Sequence, residues 1–287
     1  MIRPNFLKVA VFEIFRRRNL FKKFIFSLVL FFAVNGFFLS TSQAATIRIS
    51  APKVQLELAP GETYSGEITA ENPADEEVKA KIYLEDWAYK EGGTGEKNFL
   101  PPGTTPLSAA KWITFAPAED VIKPFGRVVA RYTVTVPKDA KGGYYAVLFF
   151  ETVLGSIKDD EGVNVMVAGR IGSLFYVTVK GNSERSGDIT SVEIPPFEGN
   201  KPLQIHTAFH NTGDLDITLG GNFLIMSDEG KILGRGDVSK IYTFPGESAT
   251  GKTEWVGRLP AGKYSVLLTY DLGKGKSLVE EKTLTVS

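Results

Sequence analysis

The stretch Gly143-Tyr144-Tyr145-Ala146-Val147-Leu148 returns later in the chain as Gly262-Lys263-Tyr264-Ser265-Val266-Leu267. Each copy follows a proline by a few residues and leads into an apolar run, as at the start of a β-strand. A second echo precedes each copy, since Asn72-Pro73-Ala74-Asp75 and Asn211-Thr212-Gly213-Asp214 both lie between strand-like segments. A pattern that occurs twice, with each copy spread over roughly 100 residues, predicts two related β domains in tandem.

Alternation of apolar and polar residues with period two dominates the chain after residue 45, where no sustained helical period occurs. Lys53 to Leu58 and Val78 to Tyr89 are clear strands. The last strand of the first domain, Val163 to Val179, has 17 residues, whereas strands are commonly about 5–6 residues long. We expect part of this strand to extend past its neighbours as an open edge, with a bulge at Gly169 or Gly172.

The polar run Gly181 to Asp188 separates the two copies and is interpreted as a linker. About seven short strands follow it, with a hairpin turn at Asp228-Glu229-Gly230-Lys231, whereas Gly92 to Ser108 in the first domain reads as a long loop. The sequence therefore predicts an all-β protein with two immunoglobulin-like β-sandwich domains, residues 45–181 and residues 187–287.

Residues 1–44 have the features of a secretory signal peptide. A basic segment ends at Lys22-Lys23, an apolar segment runs from Phe24 to Leu39, and Ser42-Gln43-Ala44 supplies a cleavage signature. The apolar segment has 16 residues, fewer than the roughly 20 that a spanning helix needs. We expect cleavage and a periplasmic or cell-surface location, with no later membrane span; an uncleaved anchor and a downstream start site stay open.

Composition argues against several classes of function. Removing residues 1–44 takes away seven of the 33 basic and one of the 33 acidic residues, which leaves 26 and 32 and a net charge of −6. A mildly acidic surface without a basic block argues against nucleic acid as a partner. The absence of cysteine excludes disulfides, thiol catalysis and thiolate metal sites.

Candidate chemical sites are few, and each has a simpler structural interpretation. His206 and His210 share a strand face about 13 Å apart, too far for one metal ion. Asp159-Asp160-Glu161-Gly162 lacks the ligand spacing of a calcium loop and is interpreted as a solvated turn. Glu85-Asp86-Trp87 places its two carboxylates on opposite strand faces, so they do not form a dyad. We expect no enzyme activity, no cofactor and no metal.

The tyrosines of the repeated phrase, Tyr145 and Tyr264, are interpreted as structural. A tyrosine just inside a strand commonly packs its ring in the core while its hydroxyl caps loop backbone.

The overlong strand offers a binding surface. If Val163, Val165 and Val167 lie along an open edge, a strand of another protein can add there through main-chain hydrogen bonds. Two alternatives stay open: the valines cover their own domain's core, or a neighbouring hairpin covers the edge.

The chain resembles the periplasmic pilus chaperones of the PapD type. The matching stretches are Lys53 to Asn72, Arg131 to Val136, Tyr144 to Glu151 and Leu174-Phe175-Tyr176 before the linker. In that family, basic residues on the first and last strands clamp the terminal carboxylate of a pilin subunit. The resemblance places Lys53 at the first position and Ser173 at the second, where a bulge at Gly172 would bring in Arg170 instead.

A competing resemblance is to the two-domain extracellular proteins associated with WxL surface proteins, in which the first domain is implicated in cell-wall binding. It rests on Leu58 to Glu62, Pro137 to Gly143, Phe209 to Gly213 and Leu259 to Tyr264. The sequence thus favours an exported, non-enzymatic protein-binding factor, chaperone-like in the assembly of pili or other surface structures, whose partner is an exported subunit or surface protein. The alternative is a cell-envelope or matrix-binding surface protein.

Overall fold

The computed structural model describes residues 47–158, 162–181, 183–197 and 201–286. The predicted signal peptide lies outside the described residues, as does most of the acidic turn at 159–162. Strands dominate the described part of the chain, which confirms the predicted all-β class. The strands are β1 Arg48–Ile49, β2 Lys53–Leu58, β3 Thr63–Glu71, β4 Val78–Tyr89, β5 Lys97–Leu100, β6 Ile113–Ala116, β7 Glu119–Ile122, β8 Arg127–Thr135, β9 Gly143–Lys158, β10 Asn164–Val179, β11 Gly187–Glu193, β12 Leu203–Asn211, β13 Ile217–Ser227, β14 Ile232–Asp237, β15 Ile241–Thr243, β16 Ser248–Trp255, β17 Gly262–Gly273 and β18 Lys276–Val286. Within these ranges no helix has the length and apolar character needed to cross a membrane.

Strands β1 to β10 form the first sandwich. One sheet has the order β1-β3-β8-β6 and the other has the order β2-β10-β9-β4-β5, with β7 pairing with β4. Strand β8 shows why the sheets pack together, because its residues alternate between buried and more exposed positions along its length. The buried ones meet Phe150 and Phe175 of the opposite sheet in one core. Each large apolar side chain buried there contributes about 1.5–3 kcal/mol.

Strands β11 to β18 form the second sandwich, with sheets ordered β11-β12-β16 and β14-β13-β17-β18, and β15 pairing with β13. Its core joins Phe209 of β12 with Phe223 and Leu268 of the other sheet. The hydroxyls of Thr207 and Tyr270 form a buried hydrogen bond of 2.8 Å within this core.

The repeated segments Asn72 to Asp75 and Asn211 to Asp214 form the same turn because each begins with a buried asparagine at the end of a strand. The side-chain amide of each donates to the backbone carbonyl four residues further on, at 2.7 and 2.9 Å. Its side-chain oxygen accepts from the backbone N–H two residues further on, at 3.0 Å in both cases. The same residue type therefore closes the same turn in both sandwiches.

The structure departs from the sequence expectations at two places. Strand β5 lies inside the stretch 92–108 that was expected to be a loop, and four residues next to glycines and prolines carry too little alternation to predict it. The register between β9 and β10 shifts between Val167 and Ala168, where β9 carries the extra residue Leu154, so neither Gly169 nor Gly172 hosts the bulge. Gly172 stays in register with Phe149, and a Cβ there would lie 2.8 Å from that ring and 2.6 Å from Val147.

Candidate partner-binding site

Strand β10 is paired on one side along almost its whole length and on the other side along little more than a third of it. Strand β9 pairs with it from Asn164 to Thr178, whereas β2 pairs with it in parallel only from Leu174 to Val179. The ten residues from Asn164 to Ser173 therefore have no strand on their second side among the described residues. We call this vacant position the open lane.

The side chains of β10 beside the open lane become more exposed from Ile171 toward Val163, that is, with increasing distance from the second sandwich. Ile171 packs against the core of the first sandwich, and Val167 is half-buried. Val165 is 42% exposed, Val163 just before the strand is 57% exposed, and Met166 on the opposite face is 65% exposed. The structure thus places the three predicted valines beside the open lane, beyond the closed part of the core.

The far end of the open lane belongs to a projecting hairpin arm. Strand β9 pairs with β4 no further than Thr152, opposite Ala80. Beyond that point the described residues 153–158 of β9 pair only with residues 164–168 of β10. Val153, at the base of the arm, is 53% exposed.

Lys53 lies at the near end of the open lane, because it is the first residue of β2 and sits beside Leu174. Its ammonium lies 4.0 Å from the ring centroid of Tyr176. A cation over an aromatic ring at this distance gains about 0.5–1 kcal/mol at an exposed site, so the ring orients the charge.

Behind Lys53 the two sandwiches meet in an aromatic cluster, which we call the junction cluster: Trp87, Tyr89, Tyr145 and Tyr176 of the first sandwich and Phe244 of the second. The ring of Phe244 has its centroid 4.3 Å from that of Tyr145, 4.8 Å from that of Tyr89 and 5.1 Å from that of Trp87. Trp87, Tyr145 and Phe244 are buried. The near end of the open lane therefore rests on a packed contact between the sandwiches.

Asp216 of the second sandwich is the acidic group of this junction. Its backbone N–H donates to the hydroxyl of Tyr145 at 2.8 Å, and that hydroxyl donates to its carboxylate at 3.1 Å. Arg185 lies 4.0 Å from the carboxylate and donates to the Asp216 carbonyl at 3.3 Å. Burial raises the pKa of Asp216, while the charges of Arg185 and Lys53 act in the opposite direction.

The tyrosine hydroxyls around Asp216 are neutral donors and acceptors. Burial raises the pKa of Tyr89 and of Tyr145 far above the ordinary value, and it raises the pKa of Tyr176 to about 12. The junction therefore holds the carboxylate of Asp216 among neutral hydroxyls, with Arg185 beside it, Lys53 over Tyr176, and Lys97 over the rings of Trp87 and Tyr89 at 5.6 and 5.8 Å.

Arg170 shares a sheet face with Lys53 without any bulge at Gly172, because residues 170 and 174 have the same parity on an uninterrupted strand. It lies about 13 Å further along, however. One guanidinium nitrogen is 2.9 Å from the Glu85 carboxylate and donates to the Tyr83 hydroxyl at 3.2 Å. Arg170 thus braces β10 to β4, and its part in partner binding stays a prediction. Ser173 is buried and faces the core.

The other acidic candidate has a structural role. The buried carboxylate of Asp86 accepts backbone N–H bonds from Gly103, Thr104 and Thr105 at 2.8–3.1 Å, which fixes the loop after β5. Its neighbour Glu85 points to the other face and pairs with Arg170, so the two carboxylates are separate, as predicted.

The histidines likewise follow the sequence expectation. His206 and His210 lie on the half-exposed face of β12, where His210 contacts the Ser248 hydroxyl at 2.9 Å. In the described ranges no group of three or more possible metal-ligating side chains was found.

The junction was missed by the sequence reasoning. Tyr145 was expected to cap loop backbone, and it does so, but the loop belongs to the other sandwich. Asp216 stands two residues after the second echo, and that proximity to a repeated turn is the signal available in the sequence. Tyr264 donates to the Pro260 carbonyl at 2.7 Å, as expected.

No protein-family model matches the sequence, and no curated protein matches it. Solved structures do. A chain of a chaperone–tip adhesin complex of CFA/I fimbriae biogenesis is 15% identical with a TM-score of 0.47, over 83% of this chain and 99% of that chain. The class 5 fimbriae chaperone CfaA is 15% identical with a TM-score of 0.44 over the same shares. A chain of the CsuC–CsuE chaperone–tip adhesion subunit complex of Acinetobacter baumannii is 13% identical with a TM-score of 0.42, over 83% and 98%.

The solved structures that are similar to this chain thus include fimbrial chaperones, the class of protein that the sequence resembles.

Proposed function

We propose that the protein is an exported, chaperone-like factor that binds a subunit of pili or of another surface structure by β-strand addition. The observation that carries this proposal is the open lane, the strand position beside the ten residues Asn164 to Ser173 of β10, which ends at Lys53. Unpaired backbone groups along such an edge supply hydrogen bonds, and alternate side chains supply specificity. Val165 and Val167 would contact the apolar side chains of the added strand.

The contrast with another edge strand supports this interpretation. Strand β18 also ends a sheet, but it carries Glu280, Glu281 and Lys282, charges of the kind that discourage edge-to-edge pairing. The arm of β10 instead exposes Val165 and Met166, where among the described residues no strand pairs with the second side of β10. An unprotected apolar edge favours a surface that is covered by a partner.

The position of Lys53 gives the added strand a direction. An ammonium at the Leu174 end of the open lane favours a carboxyl terminus there, so the partner strand would run parallel to β10. A charge-assisted hydrogen bond between Lys53 and that carboxylate is worth about 1.5–3 kcal/mol.

Two synthetic peptides test the proposal. Both alternate valine and threonine over the length of the open lane; the carboxylate peptide has a free C-terminus and the amide peptide has that terminus blocked. We expect the protein to bind the carboxylate peptide more tightly, and Lys53→Ala to weaken that binding by roughly tenfold while the amide peptide is unaffected. Equal binding of both peptides to the parent protein would overturn the carboxylate site, and no binding of either would favour the envelope-binding alternative.

Export is part of the proposal. We infer that residues 1–44 are removed on export to the periplasm or cell surface. Intact-mass measurement of the exported protein should give a chain that begins at or near Ala45, whereas a retained N-terminus on a membrane-bound protein would contradict this.

A further inference from the structure

The cation at the end of the open lane is coupled to an anion of the second sandwich. Lys53 stacks on Tyr176, whose ring centroid is 5.7 Å from that of Tyr145, and the Tyr145 hydroxyl binds the Asp216 carboxylate. Asp216 is only 17% exposed at its side chain and is held from its backbone as well, so its position is fixed. The fixed carboxylate of Asp216 thus lies behind Lys53, the residue proposed to bind the terminal carboxylate of the partner.

We propose that Asp216 is an internal counter-anion that competes with a partner's terminal carboxylate for the charge of Lys53, and so limits how tightly the partner is held. The inference rests on the proposed function. The inference adds Asp216, a residue of the second sandwich, to a binding site whose strand β10 and cation Lys53 both belong to the first sandwich.

Charged and titratable groups surround the Asp216 carboxylate on both sandwiches, and they include Lys97 over the rings of Trp87 and Tyr89, and Tyr242 beside Tyr89. Lys53 and Arg185 attract Asp216 through space, and the hydroxyls of Tyr89, Tyr145 and Tyr176 stay neutral. An incoming carboxylate near Lys53 is attracted by that ammonium and repelled by the Asp216 carboxylate, which is itself only 17% exposed. Neutralising Asp216 should therefore strengthen the site.

Protonation should have the same effect as neutralisation by mutation. Burial raises the pKa of Asp216 above its ordinary value, whereas a peptide's terminal carboxyl group titrates at about 3.3–3.7. As pH falls, Asp216 loses its charge before the peptide does. Over that interval the carboxylate peptide should bind more tightly.

The experiment measures the preference for the carboxylate peptide, defined as the ratio of the amide-peptide Kd to the carboxylate-peptide Kd. We expect Asp216→Asn to raise this preference by about three- to tenfold at neutral pH, which corresponds to about 0.7–1.4 kcal/mol. Asp214→Asn is the matched control, because Asp214 lies in the same turn with an exposed side chain and should change the preference little. A preference that is unchanged or lower in Asp216→Asn would overturn the inference.

A measurement on the unmodified protein keeps the test independent of how the variant folds. The preference of the parent protein should rise as pH falls through the raised pKa of Asp216 toward the titration of the peptide's own carboxyl group, and a flat profile would overturn the inference. If the parent shows no preference at any pH, the proposed carboxylate site fails as well. If the parent prefers the carboxylate peptide, loses that preference in Lys53→Ala and keeps it unchanged in Asp216→Asn, only the role of Asp216 fails.

Discussion

The hydroxyl of Tyr145 accepts a hydrogen bond from the backbone N–H of Asp216 at 2.8 Å and donates one to its carboxylate at 3.1 Å. Tyr145 stands in the repeated phrase of the first sandwich, and its counterpart Tyr264 bonds within its own sandwich to Pro260. The same position in the repeat thus fixes a local loop in one copy and joins the two sandwiches in the other.

Removing the Tyr145 hydroxyl should destabilise the protein. Tyr145→Phe leaves the backbone N–H and carboxylate of Asp216 without this partner, which should cost about 1–3 kcal/mol of unfolding free energy. Tyr264→Phe is the matched control, and its single bond to a carbonyl should cost about 0.5–1.5 kcal/mol. Urea unfolding of both variants measures the difference; an equal or larger loss in Tyr264→Phe would contradict the role given to Tyr145.

The two sandwiches should fold separately, but the first should lose stability when it is alone. Residues 46–182 and 187–287 each contain their own core, so each fragment should unfold cooperatively.

The first fragment loses Phe244 from the junction cluster, and Phe244→Ala in the full chain should cost about 3–5 kcal/mol for the same reason. Tryptophan fluorescence during denaturant unfolding follows both effects, because Trp87 and Trp112 lie in the first sandwich and Trp255 lies in the second. If neither fragment unfolds cooperatively, the division near Gly181 to Asp188 is wrong.

The face of the arm that meets the partner can be tested with two charge substitutions. Val165→Asp places a charge on the face that continues the core, and it should weaken binding of the carboxylate peptide by roughly tenfold. Met166→Asp adds the same charge to the adjacent residue on the opposite face, where Met166 is 65% exposed, and its effect should be smaller. Thermal unfolding should be close to that of the parent in both variants. A larger effect of Met166→Asp would show that the wrong face was assigned.

Asp216 should make stability depend on pH. Its pKa is raised in the folded protein, so the fold favours the protonated carboxyl, and the stabilisation this brings is lost as pH rises through that raised pKa. The free energy of unfolding of the parent, relative to Asp216→Asn, should therefore increase as pH falls through that raised pKa toward the ordinary value of 3.8. Urea unfolding at each pH measures this difference, and a constant or decreasing difference would mean that burial does not dominate at Asp216.

Much of the fold was predictable because alternation and turn residues are local signals. The strand Val78–Tyr89 was predicted with the bounds that the structure has, since its first half alternates between a buried and an exposed face. The open edge was predictable from the length of β10 alone. The junction was not, because the contact of Phe244 with Trp87 depends on how two separately patterned sandwiches meet. No local period encodes that contact.

Hydrogen exchange of the backbone amides tests the central claim, strand addition at the open lane, most directly. On binding the carboxylate peptide, amides between Asn164 and Ser173 should exchange more slowly, because the added strand accepts hydrogen bonds from those that face the lane. The edge strand Lys276–Val286 serves as the internal control, and its amides should exchange as in the free protein. Slowed exchange in β10 with β18 unchanged is the result that the account predicts. Unchanged exchange from Asn164 to Ser173 while the peptide is bound would contradict it.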